Sequence, residues 1–222
     1  MPVITISREF GSLGSVVAEK AAQMLGYHLT DKSTIEEIFK DYGLPSLEGE
    51  YDSIPGFWDR FAVEKQNRRQ TLFGMLNKSL CAIAQYGNVV IAGRGGFAVL
   101  AGLADVLNVR IQAPLMARIM RLVESPSVGD PGLAEELVQK NDQLQKTFIK
   151  SVYGMEWDSA GAFDLVIDTG RITPDLAADM IVQATKALPA TGTSGARTTA
   201  DLGVDKVLLA AVYDVLTTPH PR

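Results

Sequence analysis

Cysteine is nearly missing from this chain: Cys81 is the single one in 222 residues, so no internal disulfide can staple the fold. It sits in an apolar helical stretch and reads as a small buried side chain. Histidine is almost as scarce, with two in all; His28, the one outside the tail, makes neither a catalytic nor a metal motif by itself. No run approaches the ~20 apolar residues needed to cross a bilayer. No basic and then apolar leader precedes the first strand-like run, so the expected location is the cytoplasm. Excess positive charge is missing too: the net charge of −5 argues against bulk nucleic-acid binding, and any basic site must be local.

What is present is ordinary for a globular protein, 46% hydrophobic and 21% charged residues. The length suits one α/β domain plus an appendage. Nearly continuous apolar runs at Val3–Ile6, Asn88–Ala92, Val106–Gln112 and Phe163–Asp168, with a weaker one at Tyr27–Leu29, read as strands covered on both faces. Helical patterns lie between them at Gly14–Leu25, Lys32–Asp41, Arg60–Tyr86, Arg94–Leu103, Pro114–Glu124, Gly132–Val152 and Pro174–Ala187. This alternation predicts an open parallel sheet with right-handed crossovers. Thr173-Pro174-Asp175 is a good helix start, and Gly26 and Gly87 are good helix stops. Gly43–Gly56 reads as a mobile loop, and residues 188–200 as a linker rich in Thr, Gly, Ser and Ala. Beyond the linker, residues 201–222 form a helical appendage. Val204, Leu208, Ala211 and Val215 share a face there that must be buried, on the domain or on a partner.

The strand Val3–Ile6, the turn Ser7-Arg8-Glu9-Phe10-Gly11-Ser12-Leu13-Gly14-Ser15 and the following helix can present backbone N–H groups and a helix N-terminus to a phosphate. A plain turn without ligand competes with that reading. In the phosphate-loop pattern G-x-x-x-x-G-K-[ST], Arg8 falls at the first glycine and Gly14 at the lysine. The lysine is absent, and Lys20 lies too far into the helix to replace it, whereas Arg8 can supply a fixed positive charge from the strand end. A second strand leads into Gly93-Arg94-Gly95-Gly96, at the sheet edge where open α/β folds bind ligands. There the Arg94 guanidinium can clamp a phosphate with two prongs. Arg118 and Arg121 lie one helical turn apart and can face one anion, or can simply be solvated. Asp31 can contact a base or a sugar, or cap the next helix. Arg68 and Arg69 read as solvated charges.

At these residues the chain resembles the cytidylate kinase-like group of nucleoside monophosphate kinases, over roughly residues 1–187. Ile6-Ser7-Arg8-Glu9-Phe10-Gly11-Ser12, Val90-Ile91-Ala92-Gly93-Arg94-Gly95 and Phe163-Asp164-Leu165-Val166-Ile167-Asp168-Thr169 carry the likeness. The resemblance implies a phosphate-loop kinase fold: three α/β/α layers, a five-stranded parallel sheet, a monophosphate-binding insertion and a lid near residues 118–152, here with the extra C-terminal helix. It implies ATP and Mg2+. It assigns Gly11, Ser12 and Gly14 to the donor phosphates and Arg94 to the acceptor; by position, Ser15 is added to the first group and Asp31 to the second. Arg118, Arg121 and the substitute cation Arg8 fall to the transferring group; no residue is assigned as a metal ligand. The lid segment Lys140-Asn141-Asp142-Gln143-Leu144-Gln145-Lys146 has lysines or glutamines where such kinases carry arginines, and Ala92 replaces an aspartate.

Two readings follow. The leading one is an ATP-dependent phosphotransferase acting on a nucleoside monophosphate or similar small phosphorylated acceptor. The other is a nucleotide-binding regulatory or interaction protein derived from such a kinase and lacking turnover, with a homodimer formed through the C-terminal helix. A plain α/β scaffold without a nucleotide site fits least, because three strand ends bear glycine or arginine signals.

Overall fold

The computed structural model describes residues 2–43, 63–126, 128–188 and 195–218, and the side chains of residues 63–69 are not part of the description. Most of the expected mobile loop, the middle of the linker, and the Arg68 and Arg69 side chains therefore lie outside it. The described elements run β1 (Val3–Arg8), α1 (Gly14–Leu25), β2 (His28–Thr30), α2 (Lys32–Asp41), α3 (Val63–Tyr86) and β3 (Val89–Ala92). They continue with α4 (Gly96–Val99), β4 (Val106–Gln112), α5 (Leu115–Val123), α6 (Pro131–Tyr153), β5 (Leu165–Asp168), α7 (Pro174–Ala187) and α8 (Lys206–Thr217).

The five strands form one parallel sheet in the order β2-β3-β1-β4-β5. Central β1 pairs with β3 from Val3↔Val89 to Ile6↔Ala92, and with β4 from Val3↔Val106 to Arg8↔Ile111. This register brings the carboxyl ends of β1, β3 and β4 together, with the turns after Arg8 and Ala92 side by side.

Alternation along β1 sorts its side chains between two cores. Ile4 and Ile6 pack with Val17, Ala18 and Ala21 of α1 and Ala177, Ala178 and Ile181 of α7. The alanines allow those two helices to lie close together and close to the sheet. Val3 faces the other way, into a core built from α2, α3, α6 and α8 that includes Phe39, Leu76, Ile83 and Phe148. A large aliphatic side chain buried this fully contributes roughly 1.5–3 kcal/mol. Toward the carboxyl end, this second face turns polar. Thr5 donates to Asn108 at 2.7 Å, and Arg110 and Ser7 are both buried.

Three helices begin and end where expected, Gly14–Leu25, Lys32–Asp41 and Pro174–Ala187. Each has a local reason: Gly26 closes the first at φ 65°, and Asp31 and Thr173 accept from Thr34 N and Leu176 N at the starts of the others. The helix expected over Arg94–Leu103 shrinks to the single turn Gly96–Val99. Gly93, Arg94 and Gly95 take consecutive left-handed φ values of 82°, 57° and 76°, and Gly102 does so again at 76°, so the chain cannot stay helical through either end.

The C-terminal segment also differs in detail. It forms a short turn, Thr199–Asp201, and then α8, whose first turn is capped by Asp205. Thr199 is tied to the buried Asp105 carboxylate by its N–H at 2.8 Å and its hydroxyl at 2.6 Å. The apolar face of α8, Leu208, Ala211, Val212 and Val215, is buried within the same chain, and Leu208, Val212 and Val215 share the core of α2 and α3. Of the two possible covers, the domain itself supplies one. The outer face shows Val207 and Tyr213. Helices α5 and α6 keep a small core of their own, Ile119, Ala134 and Val138. Among the described residues no helix is long and apolar enough to cross a membrane.

Candidate functional site

The turn after β1 rises over the N-terminus of α1. Gly11 at φ 78° and Leu13 at φ 60° are left-handed, and Leu13, the residue before α1, offers no side-chain cap. No acidic residue sits in the first turn of α1, so no side-chain charge occupies its N-terminus. Anions favour that position. An open cleft of about 440 Å³ lies there, lined by Arg8, Glu9, Phe10, Gly11, Leu13, Gly14, Ser15 and Val16 from this side and by Asn141 and Gln145 of α6 from the other. Ser12 is fully buried, and its hydroxyl donates to the Glu9 carbonyl at 2.8 Å. It shapes the turn from below.

Arg8 occupies the space that the absent lysine would need. A β-carbon added at Gly14 would come within 2.9 Å of Arg8 Cγ and closer still to its Cβ. Farther along the same side chain, a β-carbon at Gly93 would meet the Arg8 guanidinium, with Cζ at 3.1 Å. The arginine thus lies across Gly14 and ends against Gly93, linking the turn after β1 to the turn after β3. It lines the open cleft and also a small cavity of about 10 Å³ walled by Gly93, Arg94, Gly95, Phe97, Gln145, Ile149 and Trp157. Such a volume holds about one water. Gln145 and Ile149 of α6 cover the cavity, and α6 is pinned nearby by Tyr153, which packs on Gly95 and donates to Asn77 Oδ1 at 2.8 Å.

Arg118 and Arg121 grip the turn itself. Arg118 is buried; its Nε donates to the Ala113 carbonyl at 3.0 Å, and its Nη1 donates to the Phe10 carbonyl at 3.3 Å and to Asp142 at 2.7 Å. Arg121 donates to the carbonyls of Gly11 and Thr169, at 3.3 and 2.6 Å. The two guanidiniums hold the turn and join it to α6 and to the end of β5. Lys146 of α6 is paired with Asp158 at 3.1 Å. The hydrogen bond from Lys146 holds the Asp158 carboxyl below its ordinary range.

Asp31 stands apart from these groups. Its carboxylate caps α2, accepting from Thr34 N–H and from the Ser33 hydroxyl. Burial raises its pKa, but the hydrogen bonds together outweigh that and bring it below 3.8. It lines a different cleft of about 650 Å³, with His28, Glu37 and the end of α8. Among the described residues, no group of three His, Cys, Asp or Glu side chains is placed to hold a metal ion.

Three residues that the sequence reading did not single out complete the arrangement. Glu9 pairs with Arg110 at 3.0 Å and accepts from Ala113 N–H at 3.1 Å, with Arg118 at 3.5 Å. Arg110 lies 4.6 Å over the Trp157 ring and donates to the Trp157 carbonyl. Trp157 in turn donates its indole N–H to Ser7 Oγ at 2.9 Å. One signal was available: Asn108 and Arg110 interrupt an otherwise apolar strand, and a buried charge requires a partner.

This geometry has relatives. The cytidylate kinase of Ignicoccus hospitalis is 27% identical over 182 residues, spanning 82% of this chain and 97% of that enzyme. The cytidylate kinase of Pyrococcus horikoshii is 26% identical over 208 residues, spanning 90% and 97%. A crystal structure of an uncharacterized protein from Eubacterium ventriosum superposes with a TM-score of 0.63 at 23% identity, over 84% of this chain and 99% of that one, and shares the fold. That fold is an α/β architecture built on five parallel strands. Residues 3–171 match the cytidylate kinase-like family, and with three quarters of its length inside that match the chain belongs to it.

Proposed function

We propose that the protein transfers the terminal phosphoryl group of ATP to a nucleoside monophosphate or a similarly small phosphorylated acceptor. The observation that carries this reading is that Arg8 lines both the cleft over the α1 N-terminus and the Arg94 cavity. In-line transfer needs a donor and an acceptor site that meet at one positive charge, since positioning and charge stabilisation do most of the catalysis. In this reading the backbone of Gly11, Leu13 and Gly14 and the Ser15 hydroxyl hold the donor phosphates, and Arg94 holds the acceptor phosphate. Arg8 lies between them as the lysine's replacement. Arg118 and Arg121 keep the turn in shape. Magnesium would ride mainly on the nucleotide's own phosphate oxygens, with the Ser15 hydroxyl lining the same cleft. The cavity beside Arg94 has room for about one water, so the acceptor enters when α6 lifts. Asp31 serves as a helix cap and has no part in the transfer.

The test is ADP release measured over a panel of nucleotide acceptors, with Arg94→Ala as control. Turnover that requires Arg94 supports the proposal. Binding of Mg·ATP without turnover on any acceptor favours the second reading, a kinase-derived binding protein. One observation speaks for that second reading: the lid cation Lys146 is already engaged by Asp158.

A further inference from the structure

We infer that Glu9 is the positioning residue that aims Arg8, although its carboxylate lies in a loop read as binding phosphate and would by charge alone repel one. The inference rests on the reading of the Gly11–Ser15 turn as a donor-phosphate site. Consecutive residues at the end of a strand point to opposite faces, so Ser7 and Glu9 share one face while Arg8 takes the other. Both neighbours are anchored on their face. Ser7 Oγ accepts from the Trp157 indole at 2.9 Å. Glu9 is held at three points, by Arg110 at 3.0 Å, by Ala113 N–H at 3.1 Å and by Arg118 at 3.5 Å. Arg110 is itself clamped between Glu9 and the Trp157 ring and carbonyl. The side chains on both sides of Arg8 are thereby anchored, and its own backbone pairs with Ile111 of β4. Its side chain runs over Gly14 toward Gly93, where a β-carbon at either glycine would block it. The Glu9 charge faces two guanidiniums, Arg110 with 2% and Arg118 with 8% of the side chain exposed, so it is neutralised on the side away from the cleft.

Charge and positioning predict opposite signs, which makes the inference testable. Removing a carboxylate from a phosphate-binding loop strengthens anion binding if Glu9 acts only as a charge. It weakens binding if Glu9 acts through Arg8. The experiment measures the affinity for Mg·ATP by calorimetry in four proteins: the natural chain, Glu9→Gln, Arg8→Ala and the double variant. Near-ultraviolet circular dichroism checks that each is folded. The expected result is a loss of about tenfold on Glu9→Gln when Arg8 is present. When Arg8 is already alanine, the change stays below about twofold, the range of independent sites. Trp157→Phe keeps an aromatic ring and frees Ser7, and it is expected to weaken binding in the same Arg8-dependent way, so the inference stands on a neutral variant should Glu9→Gln not fold. Tighter binding by Glu9→Gln, or an equal loss in both backgrounds, overturns the inference while leaving the nucleotide site intact. A natural chain that does not bind Mg·ATP overturns the site reading and the inference together, and absent turnover with normal binding overturns only the proposed transfer.

Discussion

Arg8 and Gly14 share one space: the aliphatic stem of the arginine lies where any side chain at position 14 would begin. These two departures from the phosphate-loop pattern, Arg8 and Gly14, are therefore one change, an arginine in from the strand and a lysine out of the helix start. It follows that putting the lysine back alone is harmful. Gly14→Lys is expected to cost about 1–3 kcal/mol in overpacking and to weaken Mg·ATP binding, whereas Arg8→Gly with Gly14→Lys is expected to recover both. Denaturant unfolding and calorimetry on the two variants check this, and a gain from the single change would refute the shared space.

Gly93 supports the far end of the same arginine. Alanine there would strain a left-handed backbone at φ 82° and displace the Arg8 guanidinium. The strain costs about 1 kcal/mol, a modest loss in a thermal melt. The expected signature is a loss of Mg·ATP affinity that matches Arg8→Ala and is out of proportion to the shift in Tm.

Asp142 joins α6 to the turn through Arg118. Asp142→Asn removes a charged hydrogen bond in a mostly buried pair, an expected loss of about 1.5–3 kcal/mol. Hydrogen exchange across residues 131–153 is expected to quicken, while that of β1 and β4 stays slow. Uniform quickening would mean that α6 is not a separately opening unit.

Leu208 is 3% exposed inside the core shared with α2 and α3. Leu208→Ala is expected to cost about 2–5 kcal/mol without altering the elution volume of the folded protein on a sizing column. A change of oligomeric state would show that α8 pairs copies of the chain rather than completing one.

Asp31 sets a pH test. Its folded-state pKa lies below the ordinary value of 3.8, so its contribution is present above that value and disappears as pH falls through the folded-state pKa. Asp31→Ala is expected to lose about 0.5–2 kcal/mol of cap stabilisation at neutral pH. The gap to the natural chain should narrow as the medium becomes more acid than ~pH 4. Parallel stability curves down to pH 2 would exclude the carboxylate as the cap; the turnover of Asp31→Asn is expected to be close to that of the natural chain.

The helices Gly14–Leu25, Lys32–Asp41 and Pro174–Ala187 could be read to the residue because their boundaries are local: a cap, a proline or a left-handed glycine within one turn. The strand β4 was equally plain as an apolar run. The segment after Arg94 was misjudged because three successive left-handed residues cannot be told from apolar periodicity. The C-terminal face was seen as needing cover, but what covers it depends on where α2 and α3 lie.

The amino-acid order alone therefore determined the alternation of strands and helices, the glycine turns at two strand ends and the absence of the loop lysine, since each is a property of neighbours in the chain. Only the tertiary structure decided what that absence means. Glu9 meets Arg110 across 101 positions and Trp157 meets Ser7 across 150, pairings that the packing of distant segments creates and no local pattern encodes. The same packing sets Arg8 between Gly14 and Gly93. A missing residue in the sequence becomes, in the fold, a space already filled.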